Sequence, residues 1–217
     1  MREDIFKTHQ ITIDKQSLAK LPCAEFPCEA IVVDRTEDVD SAIDYLEKSA
    51  IIGFDTETKP SFRKGVTHNV SLIQLSTHDR CYLFRINMTG MHPRLTALLE
   101  NPHRLKVGLS LHDDFHNLRK LADIQPEGFI DLQKFVKDFH IADNSLTRIH
   151  AILFDERISK GQRLTNWEAA ELTPTQVTYA ALDAYSCIRI YDYLMGGAFV
   201  PKESKYLSLI PVEEESE

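Results

Sequence analysis

Several classes of protein are excluded by what this sequence lacks. No apolar run approaches the roughly 20 residues needed to span a bilayer. The N-terminal MREDIFKTHQ has no apolar stretch of the kind a signal peptide carries. The expectation is therefore no membrane partner and a cytoplasmic placement. Cysteine is sparse: Cys23, Cys28, Cys81 and Cys187 are scattered, form no zinc spacing and read as reduced thiols. The nine histidines include no H-E-x-x-H pattern. Basic charge is also short. The net charge is −8, whereas chains that hold nucleic acid by phosphate neutralisation are usually basic. Part of that deficit sits in the C-terminal VEEESE, which reads as a disordered tail. No internal repeat and no other low-complexity segment is present.

What remains is the composition of a folded domain. A chain of 217 residues, 43% hydrophobic and 27% charged, can bury a sizeable core as one domain with tails. Residues 1–28, with Pro22 and Pro27, read as a polar arm packed on the domain, residues 29–197 as the domain itself and 198–217 as an acidic tail. EAIVVD, IIGFDTET, SLIQLST, CYLFRI and LKVGL read as strands, with a turn at HDR and a short extended piece at FIDL. Helices are expected over 37–48, 93–100, 112–122, 132–139 and 145–154, before a long last one. Thr173 is the expected N-cap of that last helix and Pro174 its first residue. Hairpin-like strands come first and strand–helix alternation later, which predicts an α/β fold with a mixed sheet flanked by helices.

Acids mark the candidate chemistry. In IIGFDTET, Asp55 and Glu57 are two apart on a strand and so face the same way. Two like charges that close need a neutraliser, and for carboxylate oxygens that is a hard divalent cation. A solvated strand end would also carry such a pair, so the pair does not decide alone. Asp113 and Asp114 open a helix, where its dipole favours anions. Asp114 shares a stripe with Leu118 and Leu121, while Asp113 shares one with Asn117 and Lys120. The first is therefore expected to lean inward and the second to face water. On the last helix Tyr179 and Asp183 are one turn apart on a mostly core-directed stripe, where a carboxylate is costly unless paired or metal-bound. Thr56 points its side chain away from its two acidic neighbours, but its backbone can approach a ligand. Lys160 and Arg163 before the last helix, and Arg63, Lys64 and His68 after the acid pair, supply local positive charge. Trp167 is expected to be a packed aromatic and Asp131 to cap the helix that follows it.

Taken together, FDTET, VGLSLHDD and YAALD, supported by SLIQLST and NWEAAELTPTQ, resemble the tyrosine-bearing branch of the DEDD 3′–5′ exonucleases. That group includes ribonuclease D and the Werner-type exonuclease domain. The histidine branch would have a His where Thr178 stands. The resemblance covers roughly residues 30 to 195 and implies a ribonuclease H-like fold. It implies two divalent metal ions, Mg²⁺ or Mn²⁺, held by Asp55, Glu57, Asp114 and Asp183. Asp55 would bridge them, Glu57 and Asp183 would complete the site of the water-activating ion, and Asp114 would hold the second through water. Tyr179 would orient the attacking water, and Thr56 and Lys160 would contact substrate. The implied substrates are the 3′ ends of single-stranded DNA or RNA, released as nucleoside 5′-monophosphates. The other reading is a catalytically silent nucleic-acid-binding module of the same fold. Ribonuclease D usually carries further helical domains, and only about 20 residues follow the last helix here, which argues against tRNA 3′-end maturation. With no basic arm, an oligomer or protein partner is expected to add grip.

Overall fold

The computed structural model describes residues 5–63, 65–159 and 161–210. Six strands form one mixed sheet: β2 (Glu29–Val33), β3 (Ile51–Thr58), β4 (Val70–Ser76), β5 (Arg80–Arg85), β6 (Leu105–Gly108) and β7 (Phe129–Asp131), in the order β2-β5-β4-β3-β6-β7. The β3–β4 and β4–β5 pairs are antiparallel, while β2–β5, β3–β6 and β6–β7 are parallel. The hairpin between β4 and β5 is closed by the Thr77 backbone N–H donating to Arg80 O at 2.7 Å. The parallel pairs come from crossovers through helices, as parallel pairing requires. This is the mixed sheet flanked by helices that the order of patterns predicts.

The helices cover both faces of the sheet. On one side α2 (Thr36–Leu46), α4 (Pro93–Glu100) and α5 (Leu111–Leu118) pack against Ile52, Phe54, Ile73, Leu75 and Phe84 in a continuous apolar layer. On the other lie α7 (Leu146–Phe154) and the 22-residue α8 (Pro174–Met195). Three shorter helices, α1 (Lys15–Lys20), α3 (Ile86–Thr89) and α6 (Leu132–Phe135), fill the connections. Thr173 caps α8 in a reciprocal box with Gln176, and Pro174 supplies a pre-set first residue. Among the described residues no helix is long and apolar enough to cross a membrane.

One glycine sets how α8 meets the sheet. A Cβ on Gly53 would stand 2.0 Å from the carbonyl oxygen of Ala184. Only a residue without a side chain lets the α8 backbone lie directly on β3. That approach brings the residue before Ala184, Asp183, up to the end of β3.

The segments on either side of the domain carry two strands that the sequence patterns do not predict. The arm carries β1 (His9–Ile11), which pairs antiparallel with β8 (Leu207–Leu209) from the segment expected to be tail. Ile11 and Ile13 are fully buried and belong to the core beneath α7 and α8. Strands this short carry no readable period, and pairing across nearly the whole chain leaves no local mark. The VEEESE segment, Lys64 and Lys160 lie outside the described residues.

Candidate active site

Alternation along β3 divides its side chains between two layers. Ile52, Phe54 and Thr56 face α5, while Gly53, Asp55 and Glu57 face α8. From α8, Asp183 arrives on the acidic side, and one oxygen each of Asp55, Glu57 and Asp183 falls within 4.8 Å of the others. Tyr179 stands one turn earlier on α8, and its hydroxyl hydrogen-bonds to Asp183. Tyr179 is held from behind by Trp167, whose ring centroid is 6.1 Å away and which is fully buried, the packed aromatic the sequence suggested.

Asp114 comes from the other side of the strand. On the first turn of α5 it is half-buried, and the Thr56 hydroxyl donates to its carboxylate. Thr56 therefore points away from Asp55 and Glu57, as expected, and straight at the fourth acid. Asp113 stands out in solvent. Asp131 fixes where α5 begins. It accepts from the Ser110 and Leu111 backbone N–H groups at 2.8 and 3.3 Å as well as capping α6 through Gln133 at 2.9 Å. Ser110 sits in the left-handed region at φ 60, an unfavourable conformation for a non-glycine residue, and the Asp131 bond holds it there. The cap of the following helix is a local pattern, but this second task spans about 20 residues and leaves no local signal.

A cleft of about 390 Å³ opens over Asp55, Thr56, Glu57, Tyr179 and Asp183, with Arg163, Asn144, Ser145 and Thr147 on its walls; Asp114 does not line it. The size suits a single nucleotide. The Asn144–Thr147 wall was not foreseen; it is the N-terminus of α7 and carries no motif. Arg63 and His68 do not line the cleft. His68 instead faces Glu168, at 3.3 Å, and Lys59 joins the same carboxylate at 3.0 Å. His112 and His116, one turn apart on α5, are both exposed and join no cluster of three metal-ligating groups among the described residues.

The charges explain what the site needs. Burial, followed by the charges of Asp183, Asp114 and Glu57, holds the Asp55 carboxyl well above the usual carboxylate range. Burial and the Asp183 charge push Glu57 up to about 9, against a weak opposing pull from Arg163. Burial pushes Asp183 up to about 7 and Asp114 up to about 6, with hydrogen bonds from Tyr179 and Thr56 working the other way. Burial and the facing acids push the Tyr179 hydroxyl up, so it remains a donor at neutral pH. Among the described residues none of the four acids is in an ion pair with Lys, Arg or His. An all-oxygen set of converging carboxylates without a protein cation fits a hard divalent ion.

Known proteins are similar to this chain in sequence and in fold. Residues 30–196 match the family model described as 3′–5′ exonuclease. Mouse bifunctional 3′–5′ exonuclease/ATP-dependent helicase WRN is 30% identical over 184 residues, which is 80% of this chain and 13% of the mouse protein. The Aedes aegypti Nibbler EXO domain superposes with a TM-score of 0.71 at 23% identity, covering 83% of this chain and 97% of that one. Trypanosoma brucei RNase D, in its complex with the RNA U12, gives a TM-score of 0.68 at 20% identity over 83% of this chain and 65% of that one. The chain spans about half the length, or less, of the curated relatives it matches.

Proposed function

The chain belongs to the 3′–5′ exonuclease family, and on that premise we propose that it hydrolyses nucleic acid from the 3′ end to nucleoside 5′-monophosphates. Single-stranded DNA or RNA ends are the proposed substrates. The observation that carries this reading is the convergence of Asp55, Glu57 and Asp183 within 4.8 Å, the first half-buried and the other two buried. Two divalent cations, Mg²⁺ or Mn²⁺, are the proposed cofactors. Asp55, Glu57 and Asp183 would hold one, with Asp55 shared and Asp114 serving the other. When bound, such ions supply an activated water and stabilise charge on the phosphoryl oxygens.

The chain's own groups do the positioning. Tyr179 stays protonated at neutral pH, and its one O–H, shared with Asp183 in this structure, would turn to the attacking water once cations take up the Asp183 charge. Thr56 holds Asp114 in place through its hydroxyl and offers its backbone to the terminal nucleotide. Arg163 at the cleft wall is placed to meet a phosphate, and Lys160 is proposed as a second contact. A cleft of about 390 Å³ is of the size of one nucleotide, which supports end-wise removal over internal cutting. The net charge of −8 supports a grip that depends on the cations and on a partner or a second copy. The four free thiols support a reducing, cytoplasmic setting.

The test uses 5′-labelled single-stranded RNA and DNA oligomers with Mn²⁺ or Mg²⁺, with EDTA and Asp55→Ala as controls. A ladder that shortens from the 3′ end, and is lost in both controls, is the expected result. Oligomers that bind but never shorten, with either sugar, would replace this reading with the silent binding module.

A further inference from the structure

Beside the four acids stands a buried side chain that the mechanism above does not use. Gln74 lies in the middle of β4 and is fully buried. The register sets it directly opposite Asp55 on β3. Such opposed residues share a face, with Cβ atoms about 4.5–5.5 Å apart. That face is the one covered by α8, where Ala184 lies on Gly53 and Asp183 reaches the strand end. Among the described residues, neither Oε1 nor Nε2 of Gln74 has a hydrogen-bond partner. Buried amides are almost always satisfied. Its immediate neighbours are Leu72, two residues along β4, and Leu83, opposite it on β5. An apolar side chain would suit that setting better than an amide.

Asp55 has the complementary need. The hydrogen bond that eases its charge comes from the Thr56 backbone. A carboxylate that binds a metal is normally oriented by a further hydrogen bond from a neighbour. The donor with a free N–H at the right register position is Gln74.

We propose that Gln74 is a positioning residue of the cation site: its Nε2–H donates to the Asp55 carboxylate in the cation-loaded protein and turns one oxygen of that carboxylate toward the cation. The inference rests on the cation-binding reading above. It also accounts for an amide in an otherwise apolar layer, because the carboxyl group of Asp55 is the polar partner that the register sets opposite it.

The experiment measures Mn²⁺ binding by calorimetry and melting temperature in EDTA, on the full chain, for wild type, Gln74→Met and Gln74→Leu. Methionine keeps the length of the side chain and removes the amide; leucine is the second variant should methionine pack badly. The expected result is Mn²⁺ affinity about 10-fold weaker or more, with a melting temperature in EDTA equal to wild type or higher. Unchanged Mn²⁺ affinity in a folded variant would overturn the proposal, whichever way its stability moved. So would a lower melting temperature in EDTA in both variants, which marks the amide as a structural group. A wild-type chain that takes up no Mn²⁺ would instead overturn the cation-binding reading and this inference with it.

Discussion

Two regions of this molecule bury charge, and they treat it in opposite ways. In the first every charged group is answered. Asp143 accepts from the Ile13 backbone at 3.0 Å, the Thr12 hydroxyl at 2.9 Å and Arg148 at 2.8 Å, tying the N-terminal arm to the start of α7. In the second region Asp55, Glu57, Asp114 and Asp183 repel one another, with two hydroxyls and a backbone N–H to ease them. A buried charge with its partners in place is structural. A buried cluster short of partners is waiting for a ligand, and stability is lower until that ligand arrives.

The sharpest way to break the comparison is to neutralise one acid in each region. Asp55→Asn is expected to lower exonuclease activity on the order of 10³-fold, while raising the melting temperature in EDTA by about 2–4 °C, because one repelling charge is gone. Asp143→Ala is expected to do the reverse. It strands the buried Ile13 N–H and costs about 2–3 kcal/mol, roughly 5–10 °C in melting temperature. Thermal melts and turnover assays on both variants would show it. If Asp55→Asn were as destabilising in EDTA as Asp143→Ala, the two regions would not differ in kind.

The next effect is read from pH. Glu57, Asp183 and Asp114 have native values raised to about 9, 7 and 6, above the unfolded range near 4. The native state therefore holds protons that the unfolded chain gives up. The contribution of these three groups to stability is complete below about pH 4 and declines as pH rises toward 9. In EDTA the melting temperature should fall by about 5 °C or more between pH 5 and 9. With Mn²⁺ present the slope should largely vanish, because the cation replaces the protons. A flat profile in EDTA would mean that the acids are already answered within the protein.

Which parts were legible follows from the range of the interactions. The strand bearing Asp55 and Glu57, the inward lean of Asp114 and the Tyr179–Asp183 pair are set by two-residue and four-residue periods, and each stands where those periods put it. The capping of α8 by Thr173 was readable for the same reason. The β1–β8 pairing was not, since three-residue strands carry no period and their partners lie at opposite ends of the chain. Lys106 inside LKVG and Gln74 inside SLIQLS look alike on paper, as polar letters in buried strands. Only the fold shows that the first is satisfied and the second is not. Asp131's hold on Ser110 and Leu111 belongs to the same class, a contact made by the fold and absent from any local pattern.

The smallest expected effect tests how far a single hydroxyl tempers the acidic region. Thr56→Val keeps the shape of the side chain and the backbone of β3 but removes the donor to Asp114. Losing a bond to the charged form raises the Asp114 value further above about 6. A hydrogen bond worth about 1 kcal/mol moves the value by roughly 0.7. The ionised fraction at pH 7 then falls by about a third, and activity there should fall about 1.4-fold. The deficit should shrink by pH 8 to 9, where Asp114 ionises in both proteins. Thr56→Ser, which restores the hydroxyl, should recover most of the loss, and Asp113→Asn, which removes a charge that itself raises the Asp114 value, should not reproduce it. A Thr56→Val deficit that stayed constant with pH would place the role of Thr56 in its packing and not in its hydrogen bond to Asp114.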